Sequence, residues 1–515
     1  MNVASSRSLG KTWSLTVVVL FFVFSLLCAL LIGAGQFILL AGLVIVILFA
    51  TLSLLFLGAQ GIEDRRGFLL VGVWWVMLFV HGVQQSSDFP IGYVLELVAF
   101  GLVLVSARCV WNLSGQDRVL RILLALLLLH FCVALLSSML GRSQMFAALW
   151  QLQYNLKWPL MLGMGTLLIW NERADDLMRK IISWSWIFIV LILALEIAVP
   201  GVHSEFFGEN HDRSVNPVIG IGARYRGPFN HSGYLAIISA LLAAGAMARL
   251  LADRGRGWAL LALLYAAIVL LSGQRQELLA MVFALLLLVA ISWKQYLHLM
   301  IVFTALLGGL VVAGFIYFDY IPMQDTLAQW GLVDHLSNPS ERAILSANGI
   351  TIAHQFFPLG SGLGTYGGPG AQKFDLKLFW ELGFGRYWWF LQGRFLVDTY
   401  WPNVIAESGF GGAFFLVAFF MVLWITLLRR AWHAVGTPVY GVALLALAAM
   451  TLLLANTPSS QILSDPRGAF IFWLIIGSAW RSTMPAYSKH RLDRGHVGSA
   501  RDANTASKAD VSPVI

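Results

Sequence analysis

The chain has 515 residues, of which 59% are hydrophobic and only 12% charged, and its mean hydropathy is +0.77. A soluble domain carries about 25% charged residues, so this composition excludes an ordinary soluble enzyme and points to an integral membrane protein. The net charge of +8 is not a nucleic-acid footprint, because excess Lys and Arg in a multi-span protein gather in cytoplasmic loops and set orientation.

Arg7 and Lys11 precede the first apolar run, which is too long for a signal peptide and reads as a first span. Further runs follow, giving spans at roughly 12–32, 36–58, 67–84, 91–111, 119–138, 150–170, 181–200, 232–251, 258–272, 277–293, 298–318, 407–428, 438–455 and 467–480. The expected fold is therefore all-α: a polytopic bundle of about 14 transmembrane helices. With the N-terminus inside, 22 of the 34 Lys and Arg fall on the inner side, and both termini are cytoplasmic. Residues 1–480 form one membrane domain, and residues 481–515 form a polar tail that reads as disordered. Cys28, Cys109 and Cys132 all lie in apolar runs, with no disulfide framework and no Cys/His metal spacing. No metal or other cofactor is expected. Glu96 and Glu196 fall inside predicted spans, where a carboxylate is costly and needs a reason.

Three outer segments carry the polar chemistry. The first ends in GARYRGPFNHSGYLA, Gly222 to Ala236, with Arg224 and Arg226, a Gly227-Pro228 turn and the polar pair Asn230 and His231. The second is the short turn SGQRQE, Ser272 to Glu277, with Arg275 at its centre. The third is a long loop, residues 319–406. It holds FWELGFGRYWWFLQGRF, in which aromatics alternate with Arg386 and Arg394, as in an interfacial helix or a sugar-stacking surface. Outer arginines are the minority, and each offers a fixed fork of donors that suits phosphate oxygens. Either they anchor the chain at the interface, or Arg224, Arg226 and Arg275 together hold a lipid-linked pyrophosphate.

The same loop carries PLGSGLGTYGG, Pro358 to Gly368. Its glycines allow close backbone approach, so Ser361 and Leu363, set among Gly360, Gly362 and Gly364, are candidate substrate contacts. The run lacks the Lys-Ser/Thr of a phosphate-binding loop. VDTYWPNVIAESGFGG then leads into the next span, with Asp398 and Glu407 as its carboxylates. Asp398 beside Tyr400 and Trp401 is a candidate general base and equally a candidate structural partner of a cation. Tyr400 and Glu407 are candidate substrate contacts, Glu407 equally a stabiliser of the following helix N-terminus.

Taken in order, these pieces resemble the O-antigen ligase and O-antigen/exopolysaccharide polymerase superfamily of bacterial inner membranes. The resemblance rests on Arg-Gly-Pro-Phe, Ser-Gly-x-Arg, Pro-x-Gly-x-Gly-x-Gly and Glu-x-Gly-x-x-Gly, spread over Gly222 to Gly412. It implies that Arg224, its neighbour Arg226, and Arg275 hold the undecaprenyl pyrophosphate of a glycan donor at the outer face. The family's ligases carry a histidine at the position, nine residues before the motif glutamate, that Asp398 occupies here. Asp398-Thr399 is closer to the acidic pairs of the polymerases. His231 and His354 lie elsewhere in the motif order. The resemblance implies a lipid-linked acceptor, and a flippase and chain-length regulator of the same pathway as partners. A ligase acting on lipid A core, and a transporter of an anionic lipid or solute, remain alternatives. No inverted repeat favours the transporter.

Overall fold

The computed structural model describes residues 70–78, 100–208, 215–218, 222–292 and 340–484. The chain divides into two compact units, Met1–Ile62 and Glu63–Ile515, and every described residue belongs to the second. The expected spans at 12–32, 36–58 and 298–318, half of that at 67–84, residues 91–99 of that at 91–111, the part of the long loop before residue 340 and the tail after residue 484 lie outside the described residues, as do Cys28 and Glu96.

The described chain is all-helical, without a named strand. After a helical stretch at 70–78 come α1 (Val103–Gln116), α2 (Arg118–Leu140), α3 (Met145–Gly165), α4 (Glu172–Ala198) and the short α5 (Pro200–Phe207). Then follow α6 (Ser232–Asp253), α7 (Arg256–Ser272) and α8 (Arg275–Ser292). Between residues 340 and 400 lie α9 (Glu341–Gln355), α10 (Pro369–Phe374), α11 (Lys377–Glu381) and α12 (Trp388–Leu391). The last helices are α13 (Trp401–His433), α14 (Tyr440–Asn456) and α15 (Pro466–Ser482). Five of these, α2, α4, α6, α8 and α13, are long and apolar enough to cross a membrane; α7 and α14 are shorter apolar helices. On α2, α4, α7 and α13, Leu128, Trp184, Leu260 and Phe414 point outward, as side chains facing hydrocarbon do.

Helix α6 sits at the centre, 78% of its most apolar window buried. Its sequence SGYLAIISALLAAGAMARLLAD is small-residue-rich on every side, which lets α7, α8 and α14 approach closely. Helices α14 and α15 are likewise buried all round. Where α3 crosses α15, a Cβ on Gly165 would lie 2.9 Å from the Gly477 Cα, so glycine on both helices sets the spacing. Trp158 stacks on Trp473 with ring centroids 5.3 Å apart beside this crossing.

Residues 340–400 fold as a cap on α13 and α3 around their own core of Leu345, Ile352, Tyr366, Phe379, Phe384 and Phe390. The segment FWELGFGRYWWFLQGRF is thus a helix, a 3-10 turn (Phe384–Arg386) and a second short helix. Its aromatics divide: Phe379, Phe384, Trp389 and Phe390 fill the core, while Trp380 and Trp388 are exposed.

Candidate functional site at one end of the bundle

The alternation of α2 through α15 brings three remote joints to one end: the start of α6, the α7–α8 turn and the start of α13. At the first, the Arg226–Gly227 backbone is held by Glu196 at the end of α4. Glu196 Oε2 accepts from the Arg226 N–H at 3.1 Å and the Gly227 N–H at 2.8 Å. His203 Nε2 meets the Gly227 carbonyl at 2.9 Å. The intramembrane glutamate that the sequence left without a reason therefore fixes the arginine turn. No local pattern could reveal this, because the partners are about thirty residues apart.

The two arginines of this turn diverge. Arg226 is 2% exposed and runs inward, donating to the carbonyls of Gly208 and, at 3.5 Å, of Asn230. Arg224 runs along the second joint: its Cγ lies 3.0 Å from where a Cβ on Gly273 would stand. Gly273 closes α7 in the left-handed region (φ 69°), which a side chain rarely adopts. The Tyr225 N–H donates to the Leu271 carbonyl at 3.3 Å, and Asn216 donates to Leu270 and Leu271, so the Arg224 segment is stitched to the turn that carries Arg275. Asn230 and His231 are exposed, and His231 caps α6 by accepting from the Gly233 N–H at 3.0 Å. Gln274 donates to Ser232 at 2.6 Å across the same gap.

Glu277, one turn into α8, occupies the space between these joints. It is buried, and a Cβ on Gly233 would stand 3.8 Å from its Oε1, so the carboxyl faces the α6 N-terminus. Its Oε2 has no hydrogen-bond partner among the described residues. Arg224 and Arg342 both act electrostatically on it. Arg342 comes from the first turn of α9 and contacts Asp398, Nη2 to Oδ2, at 3.4 Å. Arg342 thus pairs the cap with the approach to α13 through Asp398, and Glu277 lies within the electrostatic reach of both Arg342 and Arg224.

The third joint is built by glycine. Helix α13 is broken at Gly409 (φ 65°, ψ −176°), and a Cβ there would lie 2.5 Å from the Pro358 carbonyl oxygen. Cβ atoms at Gly362 and Gly364 would strike Ser143 on the α2–α3 connection and Ala147 on α3. The glycine-rich run therefore approaches helices. Its amides turn to Glu407, whose Oε1 accepts from Thr365 and Tyr366 at 3.0 and 3.1 Å. Ser361 N–H donates to the Ala406 carbonyl at 2.9 Å, and Leu363 is bracketed by Ser138 and Ser143. Glu407 is 1% exposed and locks the cap to the α13 kink. Tyr400, just ahead of α13, is buried; burial raises its hydroxyl well above the ordinary tyrosine range, opposed by the Trp158 indole N–H. His354 packs edge-on to Phe410.

The structure thus brings Arg224, Arg275 and Asp398 to one end, with Asn230 and His231 at its rim. Ser361, Leu363, Tyr400 and Glu407 lie in the joint beneath, and Arg226 is turned into the protein. Sequence reasoning missed Arg342 and Glu277. The signal for Arg342 was present: it is another outer arginine in the expected topology. Asp465 at the head of α15 joins the same end, where the Tyr234 hydroxyl donates to it. Burial opposes its ionisation, but the Arg467 guanidinium beside it outweighs this and holds the carboxyl below its usual range. Among the described residues no group of three or more His, Cys, Asp or Glu is placed to share a metal ion. Neither a scan against protein-family models nor a search of curated proteins finds a match for this chain.

Proposed function

We propose that this end of the bundle is the active site of a glycosyltransferase that uses a glycan on undecaprenyl pyrophosphate as donor at the periplasmic face of a bacterial inner membrane. The acceptor is a second lipid-linked repeat unit, making the protein a polymerase of O-antigen or exopolysaccharide type. One observation carries the reading: Arg224 packs on the turn that bears Arg275, at the same end of the bundle as the Arg342–Asp398 pair. Arg224 and Arg275 are the residues that the resemblance assigns to the donor, and Asp398 is the candidate base. Guanidinium forks stabilise the leaving pyrophosphate, and Asp398 takes the proton of the attacking hydroxyl. The acceptor distinguishes this from the ligase alternative, and a transporter would place its charges near mid-membrane instead.

The test is reconstitution of the full chain in liposomes with a lipid-linked repeat unit. Polymer ladders are expected from the wild type. Asp398→Asn keeps the shape but removes the base, so polymer falls about 10²-fold or more while repeat units accumulate on the carrier. A well-folded Asn variant that still makes long chains rules out Asp398 as the base, and transfer only to lipid A core makes the protein a ligase.

A further inference from the structure

Arg342 belongs to none of the four motifs, yet it contacts Asp398 and acts on Glu277, two carboxylates that stand beside them. It stands in the first turn of α9, behind the Ser340 cap whose hydroxyl accepts from the Ala343 N–H at 3.2 Å. Its reach to Asp398 is a single contact of 3.4 Å, with the two side chains 28% and 31% exposed. At the far end of the bundle Arg430 meets Asp117 at 2.6 Å with both side chains nearly buried, which is how a permanent pair is made here. A long, single, partly exposed contact holds a guanidinium loosely. Arg342 also acts electrostatically on Glu277, as Arg224 does, and the buried Glu277 Oε2 lacks a hydrogen-bond partner among the described residues.

We propose that Arg342 is an exchangeable clamp: it holds Asp398 until a donor binds, then turns to the donor's pyrophosphate and opens Asp398 to the acceptor hydroxyl. The inference rests on the glycosyl-transfer reading above. A pyrophosphate presents several anionic oxygens to a planar fork, and so outcompetes one carboxylate oxygen at 3.4 Å. Arg226 is buried against Gly208 and so is turned away from a ligand, whereas Arg342 is partly exposed. The order of events follows. With donor in place, the bond between the anomeric carbon and the pyrophosphate oxygen breaks, its electron pair leaving on the pyrophosphate. The acceptor oxygen bonds that carbon, and its proton passes to Asp398 and then to water. Before donor binds, Arg342 covers the Oδ2 edge that the acceptor needs.

The experiment measures binding of undecaprenyl pyrophosphate to the purified full chain in nanodiscs, with monodispersity on size exclusion as the check of folding. Arg342→Gln is expected to weaken binding about tenfold, the loss of a charge-assisted contact. Asp398→Asn frees Arg342 and is expected to tighten binding about two- to fivefold, the strength of an exposed pair. The double variant should match Arg342→Gln, and Arg342→Lys should recover only part of the loss. A merely structural role weakens binding in both single variants, so the opposite signs are diagnostic. Unchanged or weaker binding by Asp398→Asn overturns the clamp, as does wild-type binding by Arg342→Gln; in either case wild-type affinity leaves the glycosyl-transfer reading standing. A folded wild type that does not bind the lipid overturns both. Should Arg342→Gln not fold, the sign for Asp398→Asn decides alone.

Discussion

At one end of the bundle Arg430 closes on Asp117 at 2.6 Å and Arg249 on Asp175 at 2.9 Å. At the other, Arg342 reaches Asp398 at only 3.4 Å, and Glu277 keeps a buried oxygen with no hydrogen-bond partner among the described residues. Both ends use arginine and carboxylate, drawn from the same set of helices. In the first the carboxylates are matched: Arg430, which pairs with Asp117, also donates to the Trp480 carbonyl at 2.6 Å and lies 4.0 Å over the Trp480 ring, while Arg179 joins Asp175 and Asp253. In the second, the two buried carboxylate oxygens without a partner among the described residues, on Glu277 and Glu407, lie within the joints that carry the motifs. Burying charge costs free energy unless it is paired and hydrogen-bonded. The first end meets that cost internally, as a clasp does. The second leaves part of it unmet, as a site for a charged ligand does.

Substitutions at each end should separate these roles. The largest stability effect belongs to the clasp. Asp117→Ala strands the Arg430 guanidinium and removes the cap on Val119, so the detergent-solubilised chain should lose about 3–5 kcal/mol, read as a large drop in melting temperature. A drop of only a degree or two would mean that this end is not the clasp. A smaller stability effect with a larger functional one is expected at the other end. Gly273→Ala puts a side chain at φ 69° against Arg224 and Asn216, costing about 1–2 kcal/mol. Because it shifts Arg224 by a fraction of an ångström or more, polymer formation should fall about 10²-fold. Activity that falls only in step with folded protein would break the comparison.

Much of this division was legible in the sequence. Helix positions follow from apolar length: α2, α6, α7 and α8 begin and end within a few residues of the runs that predict them. The sorting of Arg179, Arg254 and Arg430 to one end and of Arg224, Arg275 and Asp398 to the other follows from the alternation of those runs. The joints did not show themselves. Glu196 and the Arg226 turn, or Glu277 and Arg342, meet only through tertiary packing, and a single sequence carries no signal of such pairing. The glycine-rich run was visible as a place of close approach, but what approaches it, the Gly409 kink and Ala147, depends on how α13 and α3 lie. Alternating aromatics around Arg386 gave no way to separate the buried Phe379 and Phe384 from the exposed Trp380 and Trp388.

The most direct test of the contrast is affinity for undecaprenyl pyrophosphate in Arg275→Gln set beside Arg249→Gln, each measured on folded protein in nanodiscs. Arg275→Gln should weaken binding about tenfold or more, because a charge-assisted contact to phosphate is lost. Arg249→Gln should lower the melting temperature and leave the affinity of the folded fraction within about twofold. Equal affinities in the two variants, or a loss confined to Arg249→Gln, would contradict the assignment of the arginine-rich end as the pyrophosphate site.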